Sequence, residues 1–251
     1  VSLSETKDKD PQEESSMMIR ALTLAAGLAA ASSAHAGFVG WDMRVDQAAT
    51  DAAQGVAALA GSTVYRMYAV FDDADNVIVN VFNANFSTTD GSTLWQTPAP
   101  FGSSVAPNAG FFGFEPTLQF DSFVTLNQLS TPTGTTTVTL DNDFAWSGNG
   151  VAAGGWFNSS PPNLLGASVQ NGSVWETLVG QFTVIGGGSR EIPGPTTNGD
   201  GRWSGLAGIT FNKGIGTTTV QLADQGFIPT PGAMALFGIA GLTAARRRRS
   251  A

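Results

Sequence analysis

The chain has no cysteine and a single histidine, His35. No disulfide can brace it, so its core must hold by burial alone. His35 stands in an Ala/Ser-rich stretch near the N-terminus, which leaves residues 37–227 without a thiol or an imidazole. For that body Ser-His-Asp and Cys-His catalysis, His-ligated zinc or copper, and haem or iron–sulfur ligation by these residues are excluded. Basic side chains are scarce as well. Over 37–227 only Arg44, Arg66, Arg190, Arg202 and Lys213 face fifteen acidic residues, a net charge of −10. Neutralising phosphates takes clustered Lys and Arg, so a nucleic-acid partner is not expected. An acidic surface suits a protein that must stay soluble among anionic polymers.

What is present at the N-terminal side is a targeting pattern. Met17, Met18, Ile19 and Arg20 make a positive start, residues 21–31 are apolar, and Ala34-His35-Ala36 supplies a small-x-small cleavage site. Residues 17–36 therefore read as a secretory signal peptide, with cleavage after Ala36 leaving Gly37 first. A buried Ala/Leu helix is the alternative. Residues 1–16 are polar, begin with Val1, and are expected to be a disordered upstream extension.

The last 24 residues, 228–251, have a three-part layout. Pro229-Thr230-Pro231-Gly232 precedes an apolar run over 233–245, and Arg246, Arg247, Arg248 and Arg249 follow. As a helix, 232–245 would cover roughly 21 Å, short of the ~30 Å hydrocarbon core, so on its own it is a marginal transmembrane helix. The arginines favour the cytoplasmic side and can snorkel to headgroups. A weak C-terminal anchor or a frayed tail is one reading. The order of parts also resembles the PEP-CTERM sorting signal, with Thr230 where the family name has Glu. That resemblance implies recognition and removal of the tail by an exosortase, a membrane-embedded cysteine protease. It implies Sec-type export, transient membrane anchoring through the tail, and release or attachment at the cell surface of a Gram-negative-type bacterium.

Between these ends, about 190 residues suffice for one domain with a substantial core. Gly, Thr, Ser, Asn and Phe dominate, and short β-rich runs are bounded by Gly, Pro, Asn and Asp. This is an all-β pattern, and it predicts a single β-sandwich or jelly-roll-like domain over 37–227. A signal helix and a hydrophobic C-terminal helix would flank it. Strands are expected at 63–71 and 77–86, joined as a hairpin by Asp72-Asp73-Ala74-Asp75-Asn76. Others are expected at 118–126, from strict alternation of Leu118, Phe120, Val124 and Leu126, and at 135–140, 175–185, 203–211 and 217–222. One Ala-rich helix is expected over 46–59, interrupted at Gly55. Residues 185–201 read as a loop. The stretches 64–71, 121–126, 155–166 and 178–184 are similar to an uncharacterised type of secreted β-domain protein that carries such tails. This resemblance implies a shared fold and export route, and no activity.

Carboxylates are the only catalytic acids worth considering. A glycosidase needs one protonated and one ionised carboxyl about 5–10 Å apart. Glu115, Glu176, Glu191, Asp121, Asp141 and Asp143 form the pool, with Asp121 expected on the polar face of its strand. No catalytic residue is assigned, and ordinary solvated carboxylates are the simpler account. Calcium is the metal that suits an exported protein, with Asp72, Asp73 and Asp75 as weak candidate ligands. They lack the full EF-hand spacing, and Asp and Asn are common in turns for local reasons. Trp146 and Trp156 flank a Gly-rich stretch, where a loop could present them for stacking on a glycan; core packing is the competing role. Gly186-Gly187-Gly188 lacks the Lys and the helix of a phosphate loop.

The expectation is an exported, non-enzymatic cell-surface or extracellular-matrix protein with a structural or adhesive role. The alternatives are a carbohydrate-binding module for extracellular polysaccharide and a carboxylate-dependent glycoside hydrolase.

Overall fold

The computed structural model describes residues 37–131, 138–186, 202–213 and 219–226. The chain divides into two compact units, Val1–Gly37 and Phe38–Ala251, and every element below lies in the second. The expected signal peptide with Ala34 and Ala36, the extension 1–16 and the sorting tail lie outside the described residues, as do Glu191 and most of the 185–201 loop.

Among the described residues the strands are β1 (Phe38–Val45), β2 (Thr63–Phe71), β3 (Asn76–Thr88), β4 (Thr93–Leu94), β5 (Phe123–Val124), β6 (Thr139–Leu140), β7 (Ala145–Trp146), β8 (Gly150–Ala153), β9 (Trp156–Phe157), β10 (Val169–Asn171), β11 (Val174–Ile185), β12 (Trp203–Lys213) and β13 (Thr219–Gly226). They form two antiparallel sheets, so the domain is all-β. One sheet has the order β1-β2-β11-β10, with β4 and β5 also paired to β11. The other has the order β13-β12-β3-β8-β7, with β9 joining β3 and β6 joining β9. β1 and β13, each an outer strand of its own sheet, lie side by side.

Strand β11 is buried along almost its whole length, so neither of its edges can rely on water. One edge pairs with β2 throughout. The other is shared among three short strands: β10 covers 174–176, β5 covers 180–181, and β4 covers 184–185. A bulge between Leu178 and Gly180 inserts one residue. Thr177 and Val179 face inward before it, and Phe182 and Val184 after it, so the apolar face survives a change of parity.

Both sheets feed one apolar cluster. Trp41, Met43, Tyr65, Met67 and Phe71 of the first sheet meet Ile78, Val81, Phe86, Ile209 and Phe211 of the second. The rings gather at two places. Phe38, Trp41, Phe71 and Phe211 lie edge-on or tilted at 5.2–6.4 Å, and Phe86, Phe182 and Trp203 form a second group at 5.3–6.2 Å. Such contacts contribute beyond their area. The Trp41 indole N–H also crosses from one sheet to the other, donating to the Ala207 carbonyl at 3.0 Å.

Three expectations are corrected. Strands β2 and β3 are not a hairpin: β2 pairs with β1 and β11, whereas β3 pairs with β12, β8 and β9. The acidic loop between them is a crossover from one sheet to the other. The alternating run 118–126 is a 3-10 helix (Pro116–Phe120) followed by the two residues of β5, because Pro116 and the Glu115 cap favour a turn there. The Ala-rich helix is shorter than expected. α1 (Gln47–Gln54) starts at Asp46, whose carboxylate accepts from Ala49 N–H at 2.9 Å, and it stops at Gly55 before a separate 3-10 turn at Ala57–Leu59.

Phe182 is fully buried and touches Phe86, Trp146 and Trp203. Phe182→Ala is expected to cost about 3–5 kcal/mol. Urea titration of both proteins, followed by Trp fluorescence, checks this; a loss under about 1 kcal/mol would show that the core closes over the gap.

Candidate functional site

The outer face of the β1-β2-β11 sheet carries the densest group of charges among the described residues, and the sequence reading did not pick it out. On β1, Arg44 sends its Nε to Asp42 Oδ2 at 2.6 Å and its Nη2 to Glu176 Oε2 on β11 at 2.6 Å. Its guanidinium lies over the Tyr68 ring of the intervening β2, 4.7 Å from the centroid. Glu176 Oε1 accepts from the Asn171 side-chain amide at 2.9 Å. Arginine therefore bridges three strands, with a carboxylate on either side and a phenol beneath. Beside it, Arg66 Nη1 meets Asp46 Oδ2 at 2.6 Å, while the other Asp46 oxygen caps α1.

Burial sets the chemistry here. Desolvation pushes the Asp42 carboxyl above its usual value, with Glu176 nearby adding to the rise and Arg44 opposing it. Desolvation works against the charge on Arg44, and hydrogen bonds and attraction from Glu176 and Asp42 more than offset it. The Tyr68 hydroxyl is held above its ordinary value, chiefly by desolvation. A shallow cavity of about 230 Å³ adjoins the group, lined by Arg44, Val45, Asp46, Gln47, Arg66 and Tyr68. Neither Asp42 nor Glu176 lines it, and both carboxylates are held by one guanidinium. The arrangement is a clamp between strands rather than an acid–base pair flanking a bond.

The proposed carboxylates lie apart. Asp121 is fully buried and not on a polar strand face. Its Oδ1 accepts from Thr97 N–H at 2.8 Å and Ser122 N–H at 3.0 Å, and its Oδ2 from Ser103 N–H at 3.1 Å. Burial pushes this carboxyl up to about 6 against the pull of those three donors. It ties residues 97–103 to the entry of β5. Glu115 caps the 3-10 helix through Thr117, with its Oε1 accepting from the Thr117 N–H and hydroxyl. Asp141 and Asp143 are exposed beside the turn between β6 and β7.

In the acidic loop, Asp73 uses one oxygen for Lys213 Nζ at 2.7 Å and the other for the Asn76 amide. The hydrogen bond from Lys213 is the chief cause that holds its carboxyl below the usual range. Asp75 adopts a φ of 68°, a turn conformation. Among the described residues no three His, Cys, Asp or Glu converge on a metal position.

The stacking role of Trp156 is corrected. Its indole is fully buried and donates to the Thr125 carbonyl at 3.0 Å. Trp146 is half-buried, packs edge-on against Phe144, and donates to Ser104 Oγ at 2.9 Å. None of the six indoles is exposed. Of the glycines between Trp146 and Trp156, Gly150, Gly154 and Gly155 serve close approach rather than display, and Gly148 takes a turn conformation with a φ of 82°. A Cβ on Gly150 would lie 1.9 Å from the Phe86 carbonyl oxygen, and one on Gly155 would lie 2.2 Å from that of Val81.

Among the described residues no helix is long and apolar enough to cross a membrane; the run 233–245 lies outside them. No protein-family model matches the chain, and no curated protein or solved structure is similar to it.

Arg44→Met leaves two buried carboxylates without their cation and is expected to cost about 3–5 kcal/mol at neutral pH. The cost should shrink at pH ~4, where the Asp42 carboxyl, raised by burial, can take a proton. Paired denaturation curves at the two pH values check this, and an equal cost at both would remove charge from the explanation. Asp121 has the opposite preference to an ion-paired acid. Its folded value exceeds the unfolded one, so its contribution is complete below the ordinary carboxyl value of 3.8 and is lost as pH rises through about 6. Wild-type stability minus that of Asp121→Asn should fall by about 2 kcal/mol between pH ~4 and pH ~7. A flat difference would place the folded carboxyl at its ordinary value.

Proposed function

We propose that the protein is an exported, exosortase-sorted component of the cell surface or extracellular matrix, with a structural or adhesive role. The observation that carries this reading is the order of parts over 229–249: Pro229-Thr230-Pro231-Gly232, an apolar run, and Arg246 to Arg249. The export pattern over 17–36 points the same way. In this reading the two sheets make a β-sandwich body, because both supply side chains to one core.

Two features of the body favour a structural role over a catalytic one. Its buried ionisable groups are spent on structure: Arg44 pairs with Asp42 and Glu176, Arg202 pairs with Asp90 at 2.9 Å, and Asp121 accepts from three backbone N–H groups. Its aromatic side chains are mostly spent on the core. A carbohydrate-binding role through exposed indoles loses its basis with Trp156 inside and Trp146 half-covered.

The test is to express the full chain, and a chain lacking 229–249, in a bacterial host with an exosortase and in one without. Fractionation and intact-mass measurement are expected to place the full chain outside the cytoplasm. It should have lost 17–36, and it should have lost the tail only where the exosortase is present. The same location and tail in both hosts would defeat the sorting proposal.

A further inference from the structure

One segment departs from the economy with which the body buries its apolar side chains. Phe101 is 39% exposed, Phe111 46%, Phe114 82% and Leu129 39%. The Phe101 and Phe111 rings lie 5.9 Å apart. Phe114 follows one turn on, its N–H donating to the Phe111 carbonyl at 2.9 Å. Leu129 lies two residues before Thr131, which is bridged to Asn108 at the foot of the same turn. Phe101, Phe111 and Phe114 thus gather at one turn, and Leu129 belongs to the segment bridged to its foot. Contiguous exposed aromatics at this density mark contact surfaces, and Phe contributes strongly at interface cores.

The segment is also held in place. Asp121 fixes Thr97 and Ser103 by their N–H groups, and Ala109 N–H and Thr131 N–H bond the Thr131 and Pro107 carbonyls at 3.0 and 2.8 Å. A rigid patch loses little entropy when it is covered.

Charge decides what covers it. The chain has a net charge of −8, yet residues 91–114 and 122–140 contain no charged side chain at all. The one carboxylate at the edge, Glu115, is turned back onto Thr117. Along these segments a second copy meets no like charge, and a two-fold axis through the patch sets Phe against Phe. A basic partner would find no carboxylate to pair with here.

We propose that this patch is a self-association surface through which two copies of the chain meet face to face. It rests on the surface-or-matrix reading only in supplying the adhesive contact that reading calls for; the contact itself is a property of the purified chain.

Sedimentation equilibrium of the full chain from about 1 to about 200 µM tests it. The expected result is a monomer–dimer equilibrium with a Kd on the order of 10–100 µM. Replacing Phe111 and Phe114 by Ser should weaken it at least about tenfold with unchanged circular dichroism. Val169→Ser, at another exposed apolar position, should leave it unaltered. A chain monomeric throughout would overturn the proposal. So would a dimer indifferent to the two Phe changes, a dimer lost on deleting 229–249 with the Phe residues intact, or Phe114-dependent binding to neutral phosphatidylcholine vesicles without dimerisation. None of these outcomes depends on whether an exosortase trims the tail.

Discussion

A strand buried on both faces must find hydrogen-bond partners along both edges, because water reaches neither. That demand, made by β11, organises much of the body. Its partner β2 satisfies one edge in a single long ladder. The other edge is satisfied piecewise by β10, β5 and β4, which lie far apart in sequence. The irregular excursion from 89 to 171 is therefore not decoration on a simpler fold. It supplies the missing neighbours of β11, and through β8 and β9 those of β3.

The same excursion explains where polar groups are allowed inside. The outward face of β11 carries Glu176, Gln181 and Thr183, all buried. Glu176 is answered by Arg44, and Gln181 by donating to the carbonyls of Gln119 and Asp121; at Thr183 the backbone N–H donates to the Ser122 hydroxyl, while the side-chain hydroxyl finds no partner among the described residues. The first sheet thus has an apolar side against its neighbour and a polar side stitched to the covering segment. Breaking a stitch leaves a polar atom without water, which costs more than the bond itself contributes. Specific side chains can fix the covering segment in this way with no disulfide to help.

The long β-rich runs were legible because composition and bounding turn residues survive in them: 175–185 and 203–211 lie within β11 and β12, and 77–86 lies within β3. Their pairing was not legible. β2 and β3 look like a hairpin because they are adjacent and separated by an acidic loop, yet sheet membership depends on partners more than 100 residues away. β1 escaped notice because the irregularity between Phe38 and Gly40 breaks its alternation. The run at 118–126 misled because alternation alone cannot sense the turn imposed by Pro116. Arg44 was invisible as a site because its partners sit on the same strand and two strands away; reading Asp42 and Arg44 on one face of β1 would have been the available signal. For Trp146 and Trp156, the intervening glycines suggest a display loop, whereas Gly150, Gly154 and Gly155 permit contact between backbones.

The first and last strands of the body, β1 and β13, are each outermost in their sheet and lie against one another. Both ends of the domain thus emerge from neighbouring borders. If the chain is tethered through its C-terminal side, tension enters the domain at β13, on the rim of its sheet. The β12–β13 ladder would yield first, while the β2–β11 and β3–β12 ladders would stay slack. Such an anchored particle would stretch by shedding its border and keep its centre whole.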